Sequence, residues 1–256
     1  MRPNRLKARL AAGQPVFGIL CSYTDPDILE FFGLLGFDFA FIDAEHGVIS
    51  FETAKNLVRA CNAVDITPVV RVPKNEPSII LPFLDGGAQG IIIPHCIGPT
   101  DVEAAVAACR YPPAGRRGGF SGSRVANYGL TQGAAEYYEW ADREIMVCPQ
   151  IEDAPALEQL DAMMQVPGAD MFVVGPGDLG LSMGLRGQWF HPAVQAGIDA
   201  TIAAGQRNGR WVSTLALSGE DGQELFDRGC AAIFVSAAGL IRGGTQAFLT
   251  RFKHSA

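Results

Sequence analysis

One pattern leaves this chain few folds to choose from. Between Pro15 and Ala238, short apolar runs of strand length alternate with longer stretches whose apolar residues recur at helical spacing. The runs are Pro15–Cys21, Phe37–His46, Thr67–Val72, Gly90–Cys96, Met146–Asp153, Asp170–Asp178, Arg210–Leu217 and Ala231–Ala238, eight in all. Between them lie helical stretches such as FETAKNLVRACNAV, TDVEAAVAACRY and APALEQLDAMMQV. Most runs lack the polar alternation of a half-exposed sheet, so both faces must be covered, which requires a parallel sheet with helices outside. Eight such units in 256 residues predict a (β/α)8 TIM barrel, and an open doubly wound sheet is the runner-up. No linker or low-complexity tract interrupts the pattern, so residues 1–256 read as one barrel domain with a short basic N-terminal helix. Only Tyr111–Tyr128, rich in Gly and Arg, is irregular.

Composition narrows the partners. A net charge of -7 argues against nucleic acid bound through its phosphates, while a small anionic substrate needs only a local arginine. Six scattered cysteines without a C-x-x-C pair read as reduced core residues of a cytoplasmic protein. The first 15 residues carry charge but no apolar core of a secretory signal, and no apolar run approaches a membrane span, so no membrane partner is expected.

Parallel α/β sheets build their sites at the carboxyl ends of the strands. Here Glu152 follows Val-Cys-Pro-Gln-Ile and Asp178 follows Phe-Val-Val-Gly-Pro-Gly. On neighbouring parallel strands roughly 4.8 Å apart, both carboxylates emerge from the same edge. Either alone reads as an acid opening the next helix. The pair favours a site, and one or two carboxylates completed by water and substrate suit Mg²⁺ or Mn²⁺. The same edge collects Asp43, Glu45, His46, Arg71 and His95. A lone strand-end histidine is more often structural, but a buried arginine without an anion is costly.

These residues sit in motifs that carry a resemblance. FDFAFIDAEHG, PVVRVP, FLDGGAQGIIIP, RYPPAGRRG, PQIE and GPGDLG, in this order, resemble the HpcH/HpaI aldolases, the metal-dependent class II pyruvate aldolases. The resemblance spans nearly the whole chain and implies a (β/α)8 barrel that cleaves a 4-hydroxy-2-oxo acid, such as 4-hydroxy-2-oxoheptanedioate, to pyruvate and an aldehyde. It implies that Glu152 and Asp178 hold a divalent metal (Mg²⁺, Mn²⁺ or Co²⁺). Arg71 would bind the pyruvate unit, His46 paired with Asp85 would move the proton, and Gln150, Gly175, Pro176 and Gly177 would contact substrate. Glu45 and Asp43 would support these groups, and the assembly would be a homohexamer. His95 stands where an apolar residue is expected.

The chemistry agrees. A divalent Lewis acid stabilises the enolate that forms when the C3–C4 bond breaks, a fixed arginine stabilises the same charge, and histidine is suited to take the hydroxyl proton. The competing lysine Schiff-base route is poorly served, because Lys7, Lys55, Lys74 and Lys253 all lie outside the predicted strands. Three rivals remain. A glycoside hydrolase could use Glu152 and Asp178 but leaves Arg71 unexplained. A CoA-ester lyase of a related barrel family is the nearest alternative. Gly175–Gly180 fits G-x-G-x-x-G, but at the sixth strand instead of the first. Asp85, near the end of the third long helix, should lie away from the mouth, so it would meet His46 only from a neighbouring chain. Arg116 and Arg117 either approach a mouth or form a solvated basic turn.

Overall fold

The computed structural model describes residues 1–253. Its elements are α1 (Arg5–Ala11), β1 (Val16–Cys21), α2 (Pro26–Leu34), β2 (Phe39–Asp43), α3 (Phe51–Ala63), β3 (Thr67–Arg71), α4 (Pro77–Gly86), β4 (Gly90–Ile93) and α5 (Pro99–Cys109). They continue with α6 (Ala134–Glu144), β5 (Met146–Ile151), α7 (Leu160–Met164), β6 (Met171–Val174), α8 (Pro176–Ser182), α9 (Pro192–Asn208), β7 (Trp211–Leu215), α10 (Gly219–Asp227), β8 (Ala232–Ser236) and α11 (Ala237–Lys253). The strands follow one another in sequence order, all parallel, and β8 pairs with β1 to close the ring. Closure decides for the (β/α)8 barrel over the open sheet.

Strand parity divides the core in two. In β2, Phe39 and Phe41 point into the barrel, while Ala40 and Ile42 point out against the helices. Val69, Ile92, Met146, Cys148, Met171, Val173 and Phe234 fill the same interior, so the barrel is a packed core and not a pore. Phe39 fits because β1 offers it a glycine: a Cβ on Gly18 would stand 2.2 Å from its ring. The floor is closed by α1, whose Leu6 and Leu10 are buried. Asn4 caps that helix by accepting the Lys7 N–H, and its amide donates to the carbonyls of Gln89 and Glu144.

Two stretches depart from the sequence pattern. The run Ala154–Val166 is a 3-10 turn (Ala154–Glu158) followed by the five-residue α7, because Gln159 leaves helical backbone angles (φ -115°, ψ 5°). A helix not anticipated, α6, turns Tyr137, Trp140 and Ala141 into the core at helical spacing. All six cysteines are buried and free, and burial pushes the thiols of Cys96 and Cys230 up to about 12. Among the described residues no helix is long and apolar enough to cross a membrane.

The helix after β8, α11, breaks the barrel's regularity. Ala237 is buried at its start, but every residue from Leu240 to Phe252 is exposed, including Leu240, Ile241, Phe248, Leu249 and Phe252. Where a covering helix would lie on β8 and β1, a groove of 890 Å³ opens, lined among others by Phe17, Phe37, Trp211, Phe226, Ile233 and Val235.

Candidate active site

Inward parity continues to the C-terminal rim, where the side chains become polar. Two residues beyond Phe41, Val69 and Cys148 stand Asp43, Arg71 and Gln150; two further, just past the end of β5, stands Glu152, and two beyond Val173 stands Gly175. Asp43 and Arg71 are register partners on β2 and β3. The guanidinium donates from Nε to Asp43 Oδ1 (3.0 Å) and from Nη2 to Oδ2 (2.8 Å), a two-pronged pair with Arg71 only 6% exposed. Asp43 Oδ1 also accepts the backbone N–H groups of Glu45 (3.2 Å) and His46 (3.3 Å), so one carboxylate fixes both the arginine and the loop carrying the histidine. Burial alone would raise the Asp43 carboxyl, but the bonds and charge of Arg71 outweigh it and hold it below the ordinary value. Arg71 also lies over the Phe41 ring, 5.4 Å from its centroid, and its Nε stands 3.2 Å from Glu45 Oε2. Glu45 goes the other way, since burial pushes its carboxyl up more than Arg71 and the two histidines lower it.

Across the mouth, β5 and β6 pair in parallel through Gln150–Val173 and Ile151–Val174, which brings Glu152 beside Gly175 as the sequence implied. Glu152 is 1% exposed. Its Oε1 accepts the His95 N–H (2.9 Å), and its Oε2 accepts a bond from the Gln150 amide. Among the described residues no lysine or arginine forms an ion pair with it, and burial raises its carboxyl above the ordinary value. Gln150 Oε1 is buried without a partner. A Cβ on Gly175 would lie 2.7 Å from the Gln150 amide and 2.8 Å from Glu152 Oε2, so only glycine leaves that approach open. Pro176 and Gly177 begin α8, and Asp178, half-buried in its first turn, makes no side-chain bond among the described residues. Among the same residues no cluster of three or more His, Cys, Asp or Glu could hold an ion alone.

His95 turns the chain at the end of β4 with a left-handed φ of 53°, a costly conformation for a non-glycine residue that aims its N–H at Glu152. Its Nδ1 stands 3.0 Å from Asp153 Oδ2 and its Nε2 3.7 Å from Glu45 Oε1. Partial burial lowers the imidazole pKa, but the Asp153 bond and the Glu152, Asp153 and Glu45 charges outweigh it and raise it above the ordinary value. His46 stands at the opposite side of the same carboxylate, Nε2 3.9 Å from Glu45 Oε2. Asp153 was not singled out from sequence; the Glu-Asp doublet at a strand end was the available signal.

Asp85 is not where the His46 partnership needs it within one chain. It lies in the last turn of α4, before β4 begins, and its Oδ1 accepts from Arg117 Nη2 (3.0 Å). Arg117 therefore neither approaches its own mouth nor forms a solvated turn. Its side chain is fully buried, stacked 4.7 Å over the Tyr111 ring, with the Tyr137 hydroxyl 3.3 Å from Nη2. Arg116 beside it is exposed. Lys7 is tied to Asp170 and Lys74 to Glu76, both outside the barrel interior.

A closed parallel barrel whose inward groups turn from apolar to charged at the carboxyl rim is an enzyme of the (β/α)8 class. The chain belongs to the HpcH/HpaI aldolase/citrate lyase family, whose model matches residues 17–239. It is 34% identical over 252 residues to the 5-keto-4-deoxy-D-glucarate aldolase of Shigella boydii, covering 98% of this chain and 97% of that one. Among solved structures it is similar to an HpcH/HpaI aldolase/citrate lyase family protein from Burkholderia cenocepacia, with a TM-score of 0.92, 30% identity and coverage of 98% and 99%. It is also similar to the citrate synthase SbnG, with a TM-score of 0.88, 33% identity and 98% of each chain covered. The chain is thus a carbon–carbon lyase, a metal-dependent class II aldolase. These comparisons support neither a glycoside hydrolase nor a CoA-ester lyase.

Proposed function

We propose that this aldolase reversibly cleaves a 4-hydroxy-2-oxo acid to pyruvate and an aldehyde, with substrates of the sugar-acid type named in its 5-keto-4-deoxy-D-glucarate aldolase relatives as first candidates. The observation that carries the reading is Glu152, a carboxylate 1% exposed, without a paired lysine or arginine among the described residues, facing a glycine gap opposite Arg71. Such a group calls for a cation. Glu152 and Asp178 would hold Mg²⁺, Mn²⁺ or Co²⁺, the two-carboxylate supply that leaves positions for water and substrate oxygens. When bound, the ion supplies a Lewis acid towards the 2-oxo-acid oxygens.

The chain's own groups do the rest. Gln150, Gly175, Pro176 and Gly177 frame the pyruvate unit. Arg71, immobilised by Asp43, leaves Nη1 without a bond in the described chain, and this edge faces the C2 oxygen as charge collects there. His46 takes the proton of the C4 hydroxyl, whose oxygen becomes the aldehyde carbonyl as the C3–C4 bond breaks; that pair becomes the C2=C3 bond, charge collects on the C2 oxygen, and return of a proton to C3 gives pyruvate. Glu45 and Asp43 position these groups. Because Asp85 does not meet His46 in its own chain, it would reach the His46 of a neighbour.

Assembly of copies, a homohexamer by the family resemblance, is supported by α11, which leaves both its apolar side chains and the β8–β1 groove uncovered. Six buried free thiols support a cytoplasmic setting for this one-domain barrel. The test is pyruvate release from a panel of 4-hydroxy-2-oxo acids, with and without EDTA and with Mg²⁺, Mn²⁺ or Co²⁺ restored. Release that EDTA abolishes and a divalent ion restores is expected. Undiminished release in EDTA overturns the metal assignment, and no release from any member overturns the substrate class.

A further inference from the structure

We propose that His95, fixed by Asp153, contacts the aldehyde half of the substrate and selects aldehydes that carry a hydroxyl on the carbon beside the carbonyl. The inference deepens the aldolase reading and rests on it.

Depth assigns the halves. Arg71, Gln150 and Glu152 are buried at the bottom of the mouth, while the side chains of His95 and His46 are 58% and 62% exposed above them. A substrate held by its oxo-acid end at depth brings its other end up between the two imidazoles. Both rings turn Nε2 towards Glu45, at 3.7 Å for His95 and 3.9 Å for His46. Neither separation is a hydrogen bond, so both Nε2 positions keep their capacity for a substrate oxygen.

His95 is held as a surface histidine is not. Its backbone N–H is bonded to Glu152, its φ is 53°, and Nδ1 is bonded to Asp153 at 3.0 Å. With Asp153 accepting from Nδ1, the ring orientation is set and Nε2 is the end presented to the mouth. Holding Glu152 needs only the backbone N–H, which any residue would supply; the imidazole and its aspartate are in excess of that task. A hydroxyl beside the aldehyde carbonyl would donate to Nε2, whereas an alkyl group in the same place would leave it unpaired.

The discriminating pair is glycolaldehyde and propanal, which differ by a hydroxyl in place of a methyl. The quantity is the ratio of their kcat/KM values as acceptors in addition of pyruvate. His95→Asn removes the ring but keeps the backbone N–H, and asparagine tolerates positive φ. The ratio is expected to fall about tenfold, the worth of one hydrogen bond, chiefly through the KM for glycolaldehyde. Asp153→Asn should move it in the same direction by a smaller factor, and it stands in if His95→Asn disturbs Glu152. Equal losses on both aldehydes in both variants, leaving the ratio at its wild-type value, overturn the inference in favour of a structural role. The aldolase reading is tested apart from this by exchange of the pyruvate methyl hydrogens for deuterium in the wild-type protein, which needs no aldehyde. Its absence strikes that reading, while exchange with an unmoved ratio strikes only His95.

Discussion

The rim of the barrel and the seam between β8 and β1 depart from ordinary burial in opposite directions. At the rim, Asp43, Arg71 and Glu152 are charged groups taken out of water. At the seam, Phe248, Leu249 and Phe252 are apolar groups left in it. Neither is the arrangement of lowest energy for an isolated chain. Burying Glu152 without a paired lysine or arginine among the described residues costs stability, which a bound cation would offset. Leaving the α11 stripe and its groove apart forgoes roughly 1.5–3 kcal/mol for each large side chain that burial would otherwise stabilise. The proposed function gives each region its counterpart: a small cation at the rim, the apolar surface of another copy at the seam.

The largest effect should come from removing the rim's cation ligands. Glu152→Ala or Asp178→Ala is expected to lower cleavage by about 10³-fold or more, since a Lewis acid is worth several kcal/mol of transition-state charge stabilisation. The metal-free Glu152→Ala protein should melt no lower than wild type, because a buried carboxylate without a paired lysine or arginine is gone, and in both variants the rise in Tm on adding Mn²⁺ should vanish. A Glu152→Ala protein whose Tm still rises with Mn²⁺ breaks the comparison. Next in size is Arg71→Lys, which keeps the charge but cannot repeat the two-pronged bond to Asp43. Turnover should fall by roughly 10²-fold, the scale of losing one oxyanion donor. A raised KM with unchanged kcat would instead assign Arg71 to uniform substrate binding.

How much of this was legible in the sequence follows from the same contrast. The barrel was, because continuous apolar runs such as GIIIP and MFVVG can only be buried on both faces. So was the polar rim, because strand ends are where inward parity runs out of core. The central part of Asp43 was not, since its four bonds depend on β2–β3 register and a returning loop. Nor was the Asp85–Arg117 pair, which joins residues 32 apart on the outer wall. Sequence spacing shows which face a helix residue can take, and not which loop folds back to meet it. The stand-off of α11 was hidden for a different reason. Its apolar spacing is that of any covering helix, and nothing in the pattern says that it stands off its own barrel.

Asp43→Asn sharpens the cost side of the rim. It leaves a buried guanidinium without its countercharge and should destabilise the protein by about 3–5 kcal/mol in urea unfolding. The pH dependence carries a sign that can be checked. With its folded carboxyl below the ordinary value, Asp43 contributes stability that is fully present above the unfolded carboxylate range and is lost as pH falls through the depressed value. Glu45 and Glu152, raised by burial, act oppositely and at higher pH, where protonation relieves them. The gap between wild type and variant should therefore hold near neutrality and narrow only in strong acid. A gap that narrows above the ordinary carboxylate range contradicts the assignment of the bond.

The seam should give the smallest effect on rate and a clear one on mass. In Phe248→Ser with Leu249→Ser, two exposed side chains outside the chain's own buried clusters are made polar. If the helix faced only water, the substitution would be neutral or mildly favourable, because exposed apolar surface is removed. If another copy covers it, each side chain forfeits its burial, and an interface without two of its central apolar groups loses most of its affinity. Sedimentation should then show a wild-type assembly and a smaller species for the variant, with Tm dependent on protein concentration only in the former. Cleavage should drop by only the several-fold that a neighbour's Asp85 adds by orienting His46, while the rim stays intact. A drop as deep as that of His46→Ala would mean that the neighbour's Asp85 is indispensable to the proton transfer. Mixing His46→Ala and Asp85→Asn subunits would then restore part of the rate. An unchanged mass in the double variant would instead leave α11 with no partner to cover it, and the seam would not be the counterpart of the rim.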